Sequence, residues 1–442
     1  MEEPRYFDIR HVAGESTHIE IDNGVVETAA TGFMDRAVIR ALGKTGWGVV
    51  IVDNFSAKKS PEVRSCIDRA LRLSGATEER VELADADHRI LPVPAPREDP
   101  QDVSLEEKVH LLVGIENAAR IPGISNTRAR YVEEISTVTF LSSDSVEYSF
   151  RLPRCGFSVV AVAESGGILQ MGRESQYTIR GLNLRHQESL GRTAAERAAL
   201  LLDARPAKGG TIPAILDPEL AGVFAHEAIG HASEGDIVKE GGSVVGGKMG
   251  EQIASRIVTI VDDPSLPEFG FEPVDAEGVG VGRCEIIREG RLVSFLHNRQ
   301  TLAAVGDGEA GHARAVAGDP PLVRMSNTFI ENGDADLDEL LRECGEGILL
   351  AGSRGGQVDP GRGIFLFNAE YGYLVEGGEL GPMVRDVSLS GDILSTLHAI
   401  TLVAGDRKMH QGFCGKGGQG VPVSDGSPHL LLSQAMVGGR DA

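Results

Sequence analysis

The sequence predicts an α+β protein, with a mixed α/β region over residues 1–205 and a larger, mostly antiparallel β domain over 206–442. Three features point there. The first half alternates strand-like and helix-like segments of good length. The second half is glycine-rich, its short apolar runs broken by Gly pairs, and helical periodicity is scarce after Ile237. A chain of 442 residues exceeds one ordinary core, and the break Ala204–Gly210 (ARPAKGG) marks the expected boundary.

Taken in order, Thr17–Ile21 and Val25–Ala29 read as strands about the turn Asp22-Asn23-Gly24, since Asn-Gly suits the left-handed backbone of a tight hairpin. Trp47–Val52 reads as another strand, and Pro61–Leu73 as an amphipathic helix. Residues 92–102, with four prolines and several acids, read as a linker or long loop. Ser104-Leu105-Glu106-Glu107 has the capping-box arrangement, and Val109, Leu112 and Ile115 follow at helical spacing. Alternation from Tyr131 to Gln170 predicts an antiparallel meander, and Thr193–Leu202 a third helix. The second domain then opens with a buried strand, Thr211–Leu216. A helix follows, with Asp217 as N-cap and Pro218 at the first helical position, where a missing N–H costs nothing.

Composition excludes several roles. Hydrophobic content of 41% and charged content of 24% are those of a water-soluble globular chain. A net charge of -22 repels phosphate backbones, which argues against nucleic acid as the main partner. MEEPRYFDIRHV lacks the features of a secretory signal and no apolar run suffices to span a bilayer, so the expected location is the cytoplasm, without membrane attachment. Cys66, Cys155, Cys284, Cys344 and Cys414 are scattered and form no disulfide framework.

Chemistry concentrates at FAHEAIGHASEGD, residues 224–236. His226-Glu227-x-x-x-His231 has one residue more between its histidines than the familiar zinc-peptidase signature. On an ideal helix residues five apart diverge by about 140° and cannot share a tetrahedral ion. A π-turn of about 4.4 residues reduces that to about 50°, with Gly230 as the place where the backbone deforms cheaply; alternatively, the helix ends before His231. A catalytic zinc takes a third protein ligand, for which Glu234, Asp236, His297, His312, His410 and Cys414 are candidates. Cys414 lies in GFCGKGGQG, where glycines let a backbone approach closely. The same residues also admit a cysteine nucleophile with His410 as base. Gly242–Lys248 matches most of a P-loop, but Met249 replaces the Mg²⁺-binding hydroxyl, so a glycine-rich turn is the better reading.

HEAIGHASEGD, GGKMGEQIAS, PLVRMSNTFIENGD, GIFLFNAEYGYLVEGGEL and GFCGKGGQGVPVS together resemble the TldD/PmbA family, specifically its metal-binding TldD branch. The resemblance spans the second domain and is compatible with most of the first. It implies a zinc metallopeptidase with one zinc per active subunit. His226, His231 and Cys414 would be ligands and Glu227 the base that deprotonates a zinc-activated water. It further implies a dimer, commonly with a PmbA/TldE-type subunit or else a homodimer, that cleaves unstructured peptides. An older association of the family with DNA gyrase gains nothing from this acidic composition. Substrate-binding residues are not identified, and Arg324 and His312 are the candidates for stabilising the oxyanion. The alternative is a non-catalytic scaffold or partner subunit with a structural or absent metal.

Overall fold

The computed structural model describes residues 3–55, 60–76, 78–182 and 185–439. The first sheet is wholly antiparallel, in the order β3-β2-β1-β4-β5-β6. Its strands are β1 (Tyr6–Asp22), β2 (Val25–Leu42), β3 (Trp47–Asp53), β4 (Ile124–Ser142), β5 (Glu147–Ser165) and β6 (Ile168–Thr178). The β1–β2 turn places Asn23 at φ 50° and Gly24 at φ 80°, as the Asn-Gly pair predicts. Three helices, α1 (Ser60–Ser74), α2 (Leu105–Ala119) and α3 (Glu188–Asp203), match the expected helices with longer ends. Ser104 caps α2 by accepting from the Glu107 amide at 3.2 Å.

Alternation along β1 assigns the faces. Ile9, Ile19 and Ile21 share one face; Ile9 packs with Cys66 and Ala70 of α1, and the other two with Leu112 and Ile115 of α2 and Ala194 of α3. Each such buried Ile or Leu contributes roughly 1.5–3 kcal/mol. The opposite face meets the second half of the chain. Arg40 is held there between Asp8 (Nε–Oδ1 2.9 Å) and Glu277 (3.1 Å), all three buried. The segment before the Pro100–Asp102 turn is a long loop pinned inside this region, since Arg97 donates to Arg180 O and Leu182 to Glu98 O.

In the second half, strands Gly347–Asp359, Gly210–Leu216, Leu430–Gly438, Ser388–Asp392 and Ile364–Glu376 pair in sequence, and the last pairs back with the first, closing a ring. Beside it a six-stranded sheet ends in the hairpin Lys408–Lys416/Gln419–Ser427. Antiparallel pairings dominate, with parallel exceptions such as Asn327–Ile330 beside Gln419–Ser427. One helix was expected near the start of this half, but short helices also occur at Arg299–Val305, Leu337–Cys344 and Ile393–His398. Two turns leave little periodicity to detect; caps from Asn298, Asp336 and Asp392 specify them instead. Residues 242–250 form turns, as expected of the P-loop look-alike.

Candidate metal centre

Helix α4 (Pro218–Phe224) begins where strand Gly210–Leu216 ends. The Asp217 carboxylate accepts from Leu220 N at 2.8 Å and from Gly352 N at 3.0 Å, which ties the helix start to the neighbouring strand. The helix then changes pitch. Ala225–Gly230 is a π-turn in which the His231 amide donates to His226 O, five residues back. The wider turn brings both histidines to one side, with ring centroids 5.5 Å apart and planes at 88°. The helix therefore bulges before Gly230 rather than stopping there.

Gly230 serves this bulge differently from the sequence expectation. Its φ of -54° and ψ of -58° are ordinary right-handed values that any residue adopts. A Cβ there would stand 1.9 Å from the Met325 sulfur, so close approach is what requires glycine. Gly222 is similar: a Cβ would lie 2.8 Å from Gly426 N and 2.9 Å from Asp425 Oδ1. These two glycines let Met325 and the hairpin close on the helix.

The hairpin brings in the sulfur. Cys414 opposes Val421, Gly412 opposes Val423 and His410 opposes Asp425, and side chains of opposed residues share a face. Cys414 Sγ lies 3.4 Å from His231 Nε2, and donor atoms of His226, His231 and Cys414 all fall within 4.8 Å of one another. Ligands of a tetrahedral zinc with N and S donors stand about 3.5 Å apart. The Cys414–His231 spacing already meets this, and a small contraction of the rest completes it, so two imidazoles and a thiol fit zinc in chemistry and position. Burial would lower the His231 imidazolium, but Cys414 and Glu234 raise it to about 10. Burial would raise the Cys414 thiol, but His226 and His231 outweigh it and bring it down to about 4. The sulfur is thus a thiolate, ready to ligate.

A layer behind the donors orients them. Glu234, fully buried, contacts His231 Nδ1 at 3.0 Å, which assigns the proton to that nitrogen and leaves Nε2 facing Cys414. Lys416 of the Cys414 hairpin reaches Glu234 at 3.1 Å, Asp236 at 2.8 Å and Val323 O at 2.9 Å. Arg324, also fully buried, donates to Cys414 O and to Gln419 O (3.2 Å), bracing both hairpin strands. Glu227 Oε2 stands 3.8 Å from His231 Nε2 on a side chain one-third exposed.

Several sequence candidates have other occupations. Glu234 and Asp236 are not first ligands but partners of His231 and Lys416. His297 is spent on Thr301 Oγ1 (3.0 Å) and Gly306 O (2.9 Å), and His312 lies 3.4 Å from Asp262. Neither oxyanion candidate is aimed at the centre: the Arg324 Nη donors are consumed by carbonyls, and His312 faces Asp262. His410 cannot serve Cys414 as base, because four residues along a strand separate them by about 13 Å. Sequence reasoning missed Lys416, Asp425 and Met325. Alternation on either side of the Gly417-Gly418 turn would have placed Asp425 on the Cys414 face.

A helix-borne His-Glu pair, a second histidine and a thiol, converging in an α+β frame, belong to the class of the metallopeptidases. The chain belongs to the PmbA/TldA metallopeptidase family: models of its domain 1, central domain and C-terminal domain match residues 7–74, 98–202 and 209–439. It is 38% identical over 441 residues to a metalloprotease of Methanothermobacter thermautotrophicus, covering 98% of this chain and 95% of that protein. It is also 32% identical over 341 residues, 76% of each chain, to a zinc metalloprotease TldD homolog of Saccharolobus solfataricus. In fold it resembles a protein described as a modulator of a DNA gyrase from Thermotoga maritima (TM-score 0.83, 20% identity, 98% of this chain and 96% of that one). TldE of Thermococcus kodakarensis has a TM-score of 0.80 at 20% identity, covering 98% of this chain and 97% of that one. No described helix is long and apolar enough to cross a membrane.

Proposed function

We propose that this chain is a zinc-dependent peptidase of the TldD type, acting on unstructured peptides, with His226, His231 and Cys414 holding the ion and Glu227 as general base. The observation that carries the reading is the convergence of two histidines and a buried thiolate from segments 183 residues apart in sequence. Zinc in such a site supplies a Lewis acid for the scissile carbonyl and makes water acidic enough to deprotonate near neutrality. Glu227, partly exposed beside the donors, takes the proton of the attacking water and returns it to the leaving amine. Glu234 keeps His231 in one tautomer and orientation while Lys416 balances the buried charge. Lys408–Lys416 is an edge strand, and Gly412 and Gly415 leave open space beside it. An extended peptide pairing there would present its backbone next to Cys414, which selects unfolded segments.

Replacing Glu227 with Ala is expected to leave zinc content at one equivalent and to abolish peptide cleavage. Cleavage at the wild-type rate by that variant would remove Glu227 from the role. The reading includes a division near residue 205, a cytoplasmic location and a dimer. The likeness of fold to a TldE chain makes a related subunit the partner to test first, ahead of a second copy. The scaffold alternative calls for a fourth protein ligand closing the site. Among the described residues the donor cluster has three members, which favours the open, catalytic reading.

A further inference from the structure

The two histidines differ in what stands behind them. His231 has a buried carboxylate on its far nitrogen. His226 is more deeply buried than His231, yet its Nδ1 has no hydrogen-bond partner among the described residues. Asp425 Oδ1 is in the same condition. A buried donor and a buried acceptor are each costly when left unpaired, so native structures keep few of them.

Their placement is complementary. The hairpin register puts Asp425 on the face that carries Cys414, toward the helix. Its Oδ1 packs against Gly222, one turn ahead of His226. Helical side chains lean toward the N-terminus, so the His226 ring lies over the turn that Asp425 touches. The absence of a side chain at Gly222 is what makes room for the carboxylate.

Resting on the zinc reading above, we propose that Asp425 is the positioning carboxylate of His226. It accepts the Nδ1–H of the ring through one bridging water, the two atoms not being in direct hydrogen-bond contact, so that Nε2 is held toward the ion as Glu234 holds His231. The residue touches neither substrate nor metal.

The test is zinc affinity, measured by competition with a chromophoric chelator on the full chain, alongside the melting temperature of the metal-free protein. Asp425→Ala is expected to lose about 10–100-fold in affinity. Asp425→Asn, which keeps an acceptor oxygen, should fall between it and wild type. Neither variant should melt lower than wild type without metal. Glu234→Gln provides the scale for a loss of the matching kind at His231. Wild-type affinity in Asp425→Ala overturns the proposal, as does a loss in both variants that tracks a fall in metal-free melting temperature, the mark of a merely structural role. If wild-type protein itself binds no zinc, the metal reading fails instead, so the two failures are distinguishable.

Discussion

The N-terminal sheet and the candidate metal centre solve opposite problems. The sheet is built from long, regular strands, with β1, β4 and β5 running 17, 19 and 19 residues and neighbours meeting neighbours in order. The centre is built from a helix with a widened turn, a loop residue, Met325, between two short strands, and a hairpin edge, drawn together by two glycines. Regularity stabilises the first region through many equivalent contacts. The second departs from regular geometry where ligands must converge, and relies on tight packing to hold that departure.

That contrast can be broken or sharpened by experiment. The largest effect is expected from Cys414→Ala: zinc content falling to background and peptidase activity lost, read by metal analysis and a peptide assay. Zinc retained at one equivalent would mean that the sulfur is not a ligand. Next come two glycines with no room for a methyl, Gly230 facing the Met325 side chain and Gly172 facing helix backbone. Gly230→Ala places a methyl 1.9 Å from Met325 Sδ, and Gly172→Ala places one 2.0 Å from Ala194 O. Each should cost roughly 1–3 kcal/mol in denaturant titrations, as overpacking does. Only Gly230→Ala should also weaken zinc binding, and equal zinc affinities would dissolve the distinction between the regions.

A pH profile separates the regions more subtly. In metal-free protein the Cys414 thiol is depressed to about 4 from 9.0, which stabilises fully above 9.0 and is lost as pH falls toward 4. His231 is raised to about 10 from 6.5, which stabilises fully below 6.5 and is lost as pH rises toward 10. Together they predict a plateau of melting temperature between about pH 6.5 and 9, with a decline on either side. Cys414→Ala should remove the acid flank and weaken the alkaline one, which Glu234 still supports. The smallest effect is a control in the regular region. Ser104→Ala removes the α2 cap and should cost about 1 kcal/mol in denaturant titrations while leaving zinc affinity unchanged.

The same contrast explains what could be read in advance. The Asn23-Gly24 turn, the Ser104 cap and the Asp217-Pro218 start are local chemistry, so residues within a few positions of each other specify them. The π-turn was half legible: the five-residue spacing of His226 and His231 left a widened turn or a helix end as the two ways to bring them together, and the structure has the widened turn. By contrast, GFCGKGGQG offered Cys414 as one candidate among six, and family resemblance rather than spacing singled it out. The short capped helices of the second half escaped because periodicity needs more turns than they have.

By itself, then, the sequence determined the elements of the first region and a His-Glu-x-x-x-His spacing that called for either a widened turn or a helix end before His231. Only the tertiary structure decided that Gly230 lies against Met325, that the Arg324 donors are taken by carbonyls of the Cys414 hairpin, and that Glu234 stands behind His231. The reason is distance along the chain. Backbone propensity and capping act over a handful of residues, whereas Met325 meets Gly230 and Lys416 meets Glu234 across 95 and 182 positions, brought together by packing that no local pattern encodes.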